Sequence, residues 1–323
     1  MGADQSSEAT RIGPSRPAPG RLSLLAAFAA IYLIWGSTYL AIRFAIETLP
    51  PFLMAAVRFL IAGGAMYLWA RLRGVSAPAR RQWAPAALVG ALMLVFGVGG
   101  VSWAEQRVPS GAAALIVTVG PLWMVLVDWL FFGGPRPSGR VVLGILLGFS
   151  GVILLIGPEQ VVGAGRIDML GAGVILVGTV TWSFGSLYSR GSQLPDSPIL
   201  ATGMEMFSGG VLLLCVAIAF GELARVDVAH ISARSILATG YLAFFGSIVA
   251  LSAYLWLLKV DTPARVISHA YVNPVVAIFL GWALADEPLN ARTLAATTII
   301  IAGVLVITRR ERPQIASVEM EHA

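Results

Sequence analysis

Apolar residues in this chain neither alternate nor keep to one helical stripe; they fill whole runs that polar residues interrupt at intervals. Ten such runs stand out, at approximately 22–44, 52–71, 83–104, 109–131, 140–157, 168–190, 199–220, 234–258, 264–285 and 291–308. Each is about 18 to 25 residues long, the length that crosses a ~30 Å hydrocarbon core at 1.5 Å per residue. Membrane strands would need shorter segments of alternating polarity. These runs are apolar nearly all round and dense in Leu, Ala, Gly and Val, so they predict helices. Residues 1–21 are polar and rich in Pro and Gly, and 309–323 carry Arg309, Arg310 and Arg312; both predict tails outside the bilayer, the first one disordered.

Composition agrees with the pattern. Of 323 residues 57% are hydrophobic and 12% charged, with mean hydropathy +0.81, against roughly 25% charged in an average soluble domain. The net charge of +5 and pI near 9.8 do not point to nucleic acid, because the arginines sit in short loops between apolar runs. Connections this short make neighbouring helices antiparallel. Sorting Lys and Arg by side then puts fifteen with the two termini and five on the opposite side, with Arg43 near the same face as the five. The excess predicts cytoplasmic termini. Cys215 is the one cysteine and lies inside an apolar run, which excludes an intrachain disulfide and a cysteine-based metal site.

The chain also repeats itself. Trp103 to Pro121 has a twin in Trp256 to Pro274, displaced by 153 residues, and Gly134-Pro135 returns at the same displacement as Glu287-Pro288. Nearer the start, Trp35-Gly36-Ser37 and Pro51 match Trp182-Ser183 and Pro198, displaced by 147, and Gly63-Gly64 is echoed by Gly209-Gly210. The units are residues 22–157 and 168–308, five helices each. An odd number of spans makes the second unit enter the membrane from the other side. The fold class expected is therefore all-α integral membrane, with ten transmembrane helices in two inverted five-helix repeats. That is an architecture of secondary transporters, whose site lies near the midplane between the halves.

The ordered set formed by Trp35-Gly36-Ser37-Thr38-Tyr39, Arg58-Phe59, Pro121, Pro274 and Asp286-Glu287-Pro288-Leu289 resembles the EamA-type branch of the drug/metabolite transporter superfamily over roughly residues 22–308. The resemblance implies an alternating-access carrier of small solutes, in many relatives an exporter of amino acids, metabolites or toxic compounds, in a bacterial inner (plasma) membrane. It also implies a cavity lined mainly by helices 1–4 and 6–9, with helices 5 and 10 peripheral. One departure stands out: Gly133-Gly134-Pro135 occupies the place after the fourth helix where the family usually carries a Glu.

Arg58 and Glu205 are the charges deepest within apolar runs and occupy equivalent repeat positions; an intramembrane charge is a functional hypothesis by default. Arg58 reads either as an anchor for a substrate carboxylate or as a structural cation bridging backbone carbonyls. Glu205 reads as a proton-loading or amine-binding group, or as a structural hydrogen-bonding residue. Inversion sets their depths about 12 Å apart, so they are not expected to pair. His269 falls at a depth similar to Glu205, either as its coupling partner or as a packed histidine held by one backbone carbonyl. Trp35, Tyr39, Trp103, Thr118, Trp182, Tyr188, Tyr254, Trp256, Tyr271 and Asn273 complete the candidate substrate site, an apolar pocket with a few oriented polar groups. Interfacial anchoring is the better account of Trp69, Trp83 and Trp129, and a rival for Trp103 and Trp256. Pro121 and Pro274 are expected hinges, since each frees a carbonyl in the preceding turn. Asp128 is expected near Arg136 and Arg140 as a solvated interfacial charge.

No cofactor or metal motif is present, and a second histidine inside the membrane is lacking. The partners expected are a small-molecule solute, the lipid bilayer and, through Glu205, protons; a homodimer is compatible with the sequence, and nucleic acid is not a partner. The rivals are a membrane-embedded sensor or scaffold, against which the short loops argue, and an intramembrane enzyme, for which no catalytic set at matched depth is visible.

Overall fold

The computed structural model describes residues 20–108, 116–156, 168–285 and 291–308, and among them every regular element is helical. The helices are α1 (Arg21–Ala45), α2 (Pro51–Leu72), α3 (Arg80–Ala104), α4 (Gly120–Phe131), α5 (Gly139–Ile156), α6 (Met169–Gly191), α7 (Pro198–Ala219), α8 (Ala233–Val260), α9 (His269–Ala285) and α10 (Ala291–Thr308). Six of them, α1, α2, α3, α6, α7 and α8, are long and apolar enough to cross a membrane. Apolar stretches of α4, α5 and α10 are shorter. The expected tails at 1–19 and 309–323 and the Asp286-Glu287-Pro288-Leu289 stretch lie outside the described residues.

Helix starts follow the local chemistry. Pro51 and Pro198 occupy the first turns of α2 and α7, where a missing N–H costs nothing because it would have had no partner. Asp168 caps α6 by accepting from Gly171 N at 2.7 Å, and Ser197 caps α7 from Leu200 N at 3.4 Å. The N-terminus of α2 has a cap from far along the chain. Leu53 N and Phe52 N donate to the Glu222 carboxylate at 2.7 and 3.4 Å, placing a negative charge on the positive end of the helix.

Packing pairs equivalent elements. Helix α2 lies on α7, α1 on α8 and α9, and α6 on α3 and α4. Glycine makes the α2–α7 contact close. A Cβ added at Gly63 would fall 2.3 Å from Phe207 N, one at Gly203 2.8 Å from Tyr67 N, and one at Gly210 2.8 Å from Leu60 N. Backbone therefore meets backbone, as small residues allow in membrane helices. Helices α5 and α10 form a second such pair, where a Cβ on Gly303 would lie 2.8 Å from Gly148 N.

Two departures from uniform helices bear on function. In α3 the hydrogen-bond ladder widens to i→i+5 over Gly90–Gly99, and in α8 over Leu242–Leu251. The wide segments are equal in length and occupy matching places in the two repeats; such segments cluster at functional sites. The second departure is a pair of tight turns where continuous runs at 109–131 and 264–285 were expected. Thr118–Val119 precedes α4, with Val119 N bonded to Ile116 O at 3.1 Å, and Ile267–Ser268 separates a one-turn helix, Pro263–Val266, from α9. Pro121 sits in the first turn of α4 rather than inside a helix, and its ring excludes the ordinary ladder there. Pro274 remains inside α9, so the break in that half comes six residues earlier than the proline.

Candidate functional site

Seven helices or their ends surround a central cavity. Helix α1 supplies Trp35, Thr38, Tyr39 and Ile42, α2 Arg58 and Phe59, the wide segment of α3 Leu94, Gly97 and Val98, and α6 Gly178, Thr179 and Trp182. The wide segment of α8 adds Gly246 and Leu251, the turns before α4 and α9 add Val117, Gly120 and Ile267, and α9 adds His269 and Asn273. The walls are largely apolar with a few polar groups, the ordinary make-up of a small-molecule site.

Arg58 is 4% exposed, and its guanidinium is held from two sides. Nε donates to Ser247 Oγ at 2.7 Å, and the group lies 4.7 Å from the Phe59 ring centroid. Ser247 in turn donates to Leu242 O at 3.1 Å, a bond five residues back that follows the widened ladder of α8. No carboxylate pairs with Arg58 among the described residues.

An aromatic cluster forms part of the cavity wall. Trp35 lies 5.7 Å from Trp182, 5.1 Å from Tyr254 and 4.7 Å from His269, and Tyr254 lies 5.5 Å from both Trp182 and His269. Each polar edge is satisfied: Trp35 Nε1 donates to Gly246 O at 3.0 Å, Trp182 Nε1 to the Tyr254 hydroxyl at 2.9 Å, and that hydroxyl pairs with Ser186 Oγ at 2.8 Å. His269 Nδ1 lies 3.1 Å from Val266 O at the break before α9. Trp35 and Trp182 are the equivalent tryptophans of the two repeats.

A second cavity lies against α7 and the far end of α8. Glu205 lines it, 3% exposed, and accepts from Ser189 Oγ at 2.7 Å. Trp256, Lys259, Met66 and Ser252 complete much of that wall.

The candidate residues therefore separate. Trp35, Tyr39, Arg58, Trp182, His269 and Asn273 line the central cavity, and Tyr254 is fully buried in the aromatic cluster. Glu205 and Trp256 belong to the second cavity. His269 is thus not beside Glu205: the turn at Ile267–Ser268 re-aims it toward Trp35, where depth alone had put it level with the carboxylate. Neither cavity is lined by Trp103, Thr118, Tyr188 or Tyr271. Trp103 stacks under the Arg107 guanidinium at 4.7 Å, Thr118 is buried in the turn before α4, and Tyr188 packs against the large core cluster. Tyr271 is sealed beneath α5, where a Cβ on Gly148 would lie 2.8 Å from its ring. Asp128 faces Arg190 of α6 at 3.9 Å rather than Arg136 or Arg140, because α4 packs on α6.

Sequence reasoning passed over Ser186, Ser189 and Ser247, which orient the aromatic and charged groups, and Glu105 at the end of α3, which acts on Tyr39 electrostatically. Small hydroxyls are common in membrane helices, so nothing in the pattern singled these out. Among the described residues no group of three or more His, Cys, Asp or Glu could hold a metal ion.

An all-helical bundle with apolar membrane-length helices and a cavity walled by both repeats defines a membrane transport protein. Residues 22–157 and 169–309 each match the EamA-like transporter family, and the chain belongs to it. It is 40% identical over 288 residues, 89% of this chain and 91% of the relative, to the "Uncharacterized inner membrane transporter YedA" of Escherichia coli K12. The "Uncharacterized transporter YvbV" of Bacillus subtilis is 24% identical over 92% of this chain and 94% of its own. A solved structure, titled only "Crystal structure of protein", superposes with a TM-score of 0.70 at 23% identity, covering 89% of this chain and 97% of that one; the fold is shared with it.

Proposed function

We propose that the protein is a secondary carrier that moves small metabolites, amino acids or amphipathic compounds, outward across the bacterial inner membrane by alternating access through the central cavity. The observation that carries this is the cavity's aromatic wall, where each repeat contributes its equivalent tryptophan, Trp35 and Trp182, to one cluster. A wall shared by two related halves opens when they rock against each other, as inverted repeats do. The matched packing of α1 on α8 and α6 on α3 supports two inverted five-helix units. The lining climbs from Trp35 to Ile42 on α1 and from Leu94 to Val101 on α3, away from the side that bears the N-terminus of α1. With cytoplasmic termini, as the arginine distribution supports, that direction of the lining favours access to the cavity from the outside, with the aromatic cluster on the cytoplasmic side.

Coupling falls to Glu205. Its carboxyl is buried in the second cavity, which lies on the cytoplasmic side, with a hydroxyl donor from Ser189 and Lys259 in the same wall. Protonation there in one conformation and release in the other would tie solute movement to the proton gradient.

Purified protein in proteoliposomes tests both parts. Saturable counterflow of a labelled solute from a metabolite panel, with gradient-driven accumulation lost in Glu205→Gln while counterflow persists, is the expected result. Accumulation unchanged in Glu205→Gln would remove the carboxylate from coupling. Counterflow equal to that of empty liposomes across the panel would favour a sensor or scaffold.

A further inference from the structure

We infer that the central cavity selects organic anions, with Arg58 as the anchor and Ser247 as the residue that positions it. The inference rests on the carrier reading above and adds the charge class of its solute.

Arg58 is more than nine-tenths buried, lines the cavity and has no carboxylate partner among the described residues. A guanidinium has five N–H donors, and the contacts described use Nε on Ser247 and one ring face on Phe59. With Nε fixed, the terminal nitrogens are held in one orientation. Gly246 keeps the approach open, since even a methyl group there would lie 3.0 Å from Nη2. A buried charge of this kind is costly unless something pairs with it. A carboxylate or sulfonate on the solute supplies the missing charge, in the planar two-point geometry that guanidinium favours.

The same walls disfavour cations. Among the described residues the lining holds no carboxylate; its other polar groups are the hydroxyls of Thr38, Tyr39 and Thr179, the Asn273 amide, the His269 ring and the Trp35 and Trp182 indoles. Glu105 lies outside the lining, at the end of α3 by Tyr39. Besides Phe59, which packs against the guanidinium, Trp35, Trp182 and Leu94 offer apolar surface in the same cavity. The class defined is therefore an anionic head on an apolar or aromatic body.

Three probes of one shape and permanent or balanced charge separate the possibilities: benzylsulfonate, phenylalanine and benzyltrimethylammonium. Counterflow in proteoliposomes and equilibrium binding to the detergent-solubilised protein are measured for each. The expected order is sulfonate first, phenylalanine at least fivefold weaker and the cation at the level of empty liposomes. Arg58→Gln should weaken sulfonate binding about tenfold or more, and Arg58→Lys by less, since the charge stays and the planar fork is lost. Ser247→Ala should weaken it several-fold with the charge unchanged, while Ser247→Thr, which restores the hydroxyl, recovers it. A thermal unfolding midpoint for each variant separates loss of binding from loss of fold.

Saturable exchange of the cation at the sulfonate's level, or sulfonate affinity unchanged in folded Arg58→Gln, overturns the assignment and leaves the carrier reading standing. Phenylalanine exchanged better than the sulfonate, with the advantage lost in Glu105→Gln, overturns it in favour of a zwitterion held between two charges. No saturable exchange of any probe overturns it and counts against the carrier reading as well.

Discussion

At the scale of single residues, the aromatic cluster depends on a small set of hydrogen bonds. Tyr254 is the hub: its hydroxyl accepts from the Trp182 indole and pairs with Ser186. Tyr254→Phe keeps the ring contacts and strands the indole N–H in an apolar surrounding. The expected cost is about 1–2 kcal/mol, read as a lower unfolding midpoint in detergent, together with faster exchange of solute once the cluster is loosened. Serine at 186 replaced by alanine should cost less, because the Tyr254 hydroxyl keeps its bond from Trp182. Legibility differed from residue to residue here. Trp35, Trp182 and Arg58 announced themselves as large or charged groups at repeat-equivalent positions. Tyr271, chosen as an aromatic within an apolar run, proved to be packing beneath α5, because side-chain direction around a uniformly apolar helix cannot be read from spacing.

At the scale of helices, glycine decides how closely α2 and α7 approach, and two adjacent glycines give an internal control. A Cβ at Gly63 would strike the backbone of Phe207 at 2.3 Å, whereas one at Gly64 meets only the Phe207 ring, at 3.9 Å. Gly63→Ala is expected to destabilise by about 1–3 kcal/mol through overpacking, and Gly64→Ala to be close to neutral; unfolding midpoints and monodispersity after solubilisation measure both. The sequence pattern located the long helices within about three residues, since length and apolarity are what a bilayer selects. The turns before α4 and α9 and the two widened segments escaped it. Pro121 and Pro274 marked the neighbourhood of the turns, but the break in the second half forms upstream of Pro274, at Ile267–Ser268, after the separate turn of helix Pro263–Val266. Widened ladders leave no periodic trace when every face is apolar.

At the scale of the whole molecule, Glu222 fastens one half to the other. It follows α7 and caps α2, and it is 3% exposed. Burial pushes its carboxyl above the usual carboxylate range, and the amides of Leu53 and Phe52 and the nearby Arg225 pull it back in part. A carboxyl whose folded value is raised favours the protonated folded state, so its contribution is largest below the unfolded value of about 4.3. That contribution falls as pH rises through the interval up to the folded value and is constant beyond it. Unfolding midpoints of the native chain and Glu222→Gln across pH 3.5 to 8 should therefore diverge: the native chain loses stability relative to the glutamine variant as pH rises through that interval. A difference independent of pH would show that the carboxyl does not titrate there. The repeat that organises all of this was legible as two displacements, 147 and 153 residues, whereas Glu222, one of two acids in a polar loop, carried no signal of its long-range partner.

Backbone contact between α2 and α7 has a thermodynamic corollary. Arg58 rides on one of these helices and Glu205 on the other, and the glycine surfaces between them carry few interlocking side chains, so displacement along the contact moves both charges relative to their surroundings. On the carrier reading proposed above, a solute at Arg58 that binds the two registers unequally changes the proton affinity of Glu205, and protonation of Glu205 changes the solute affinity by the same factor.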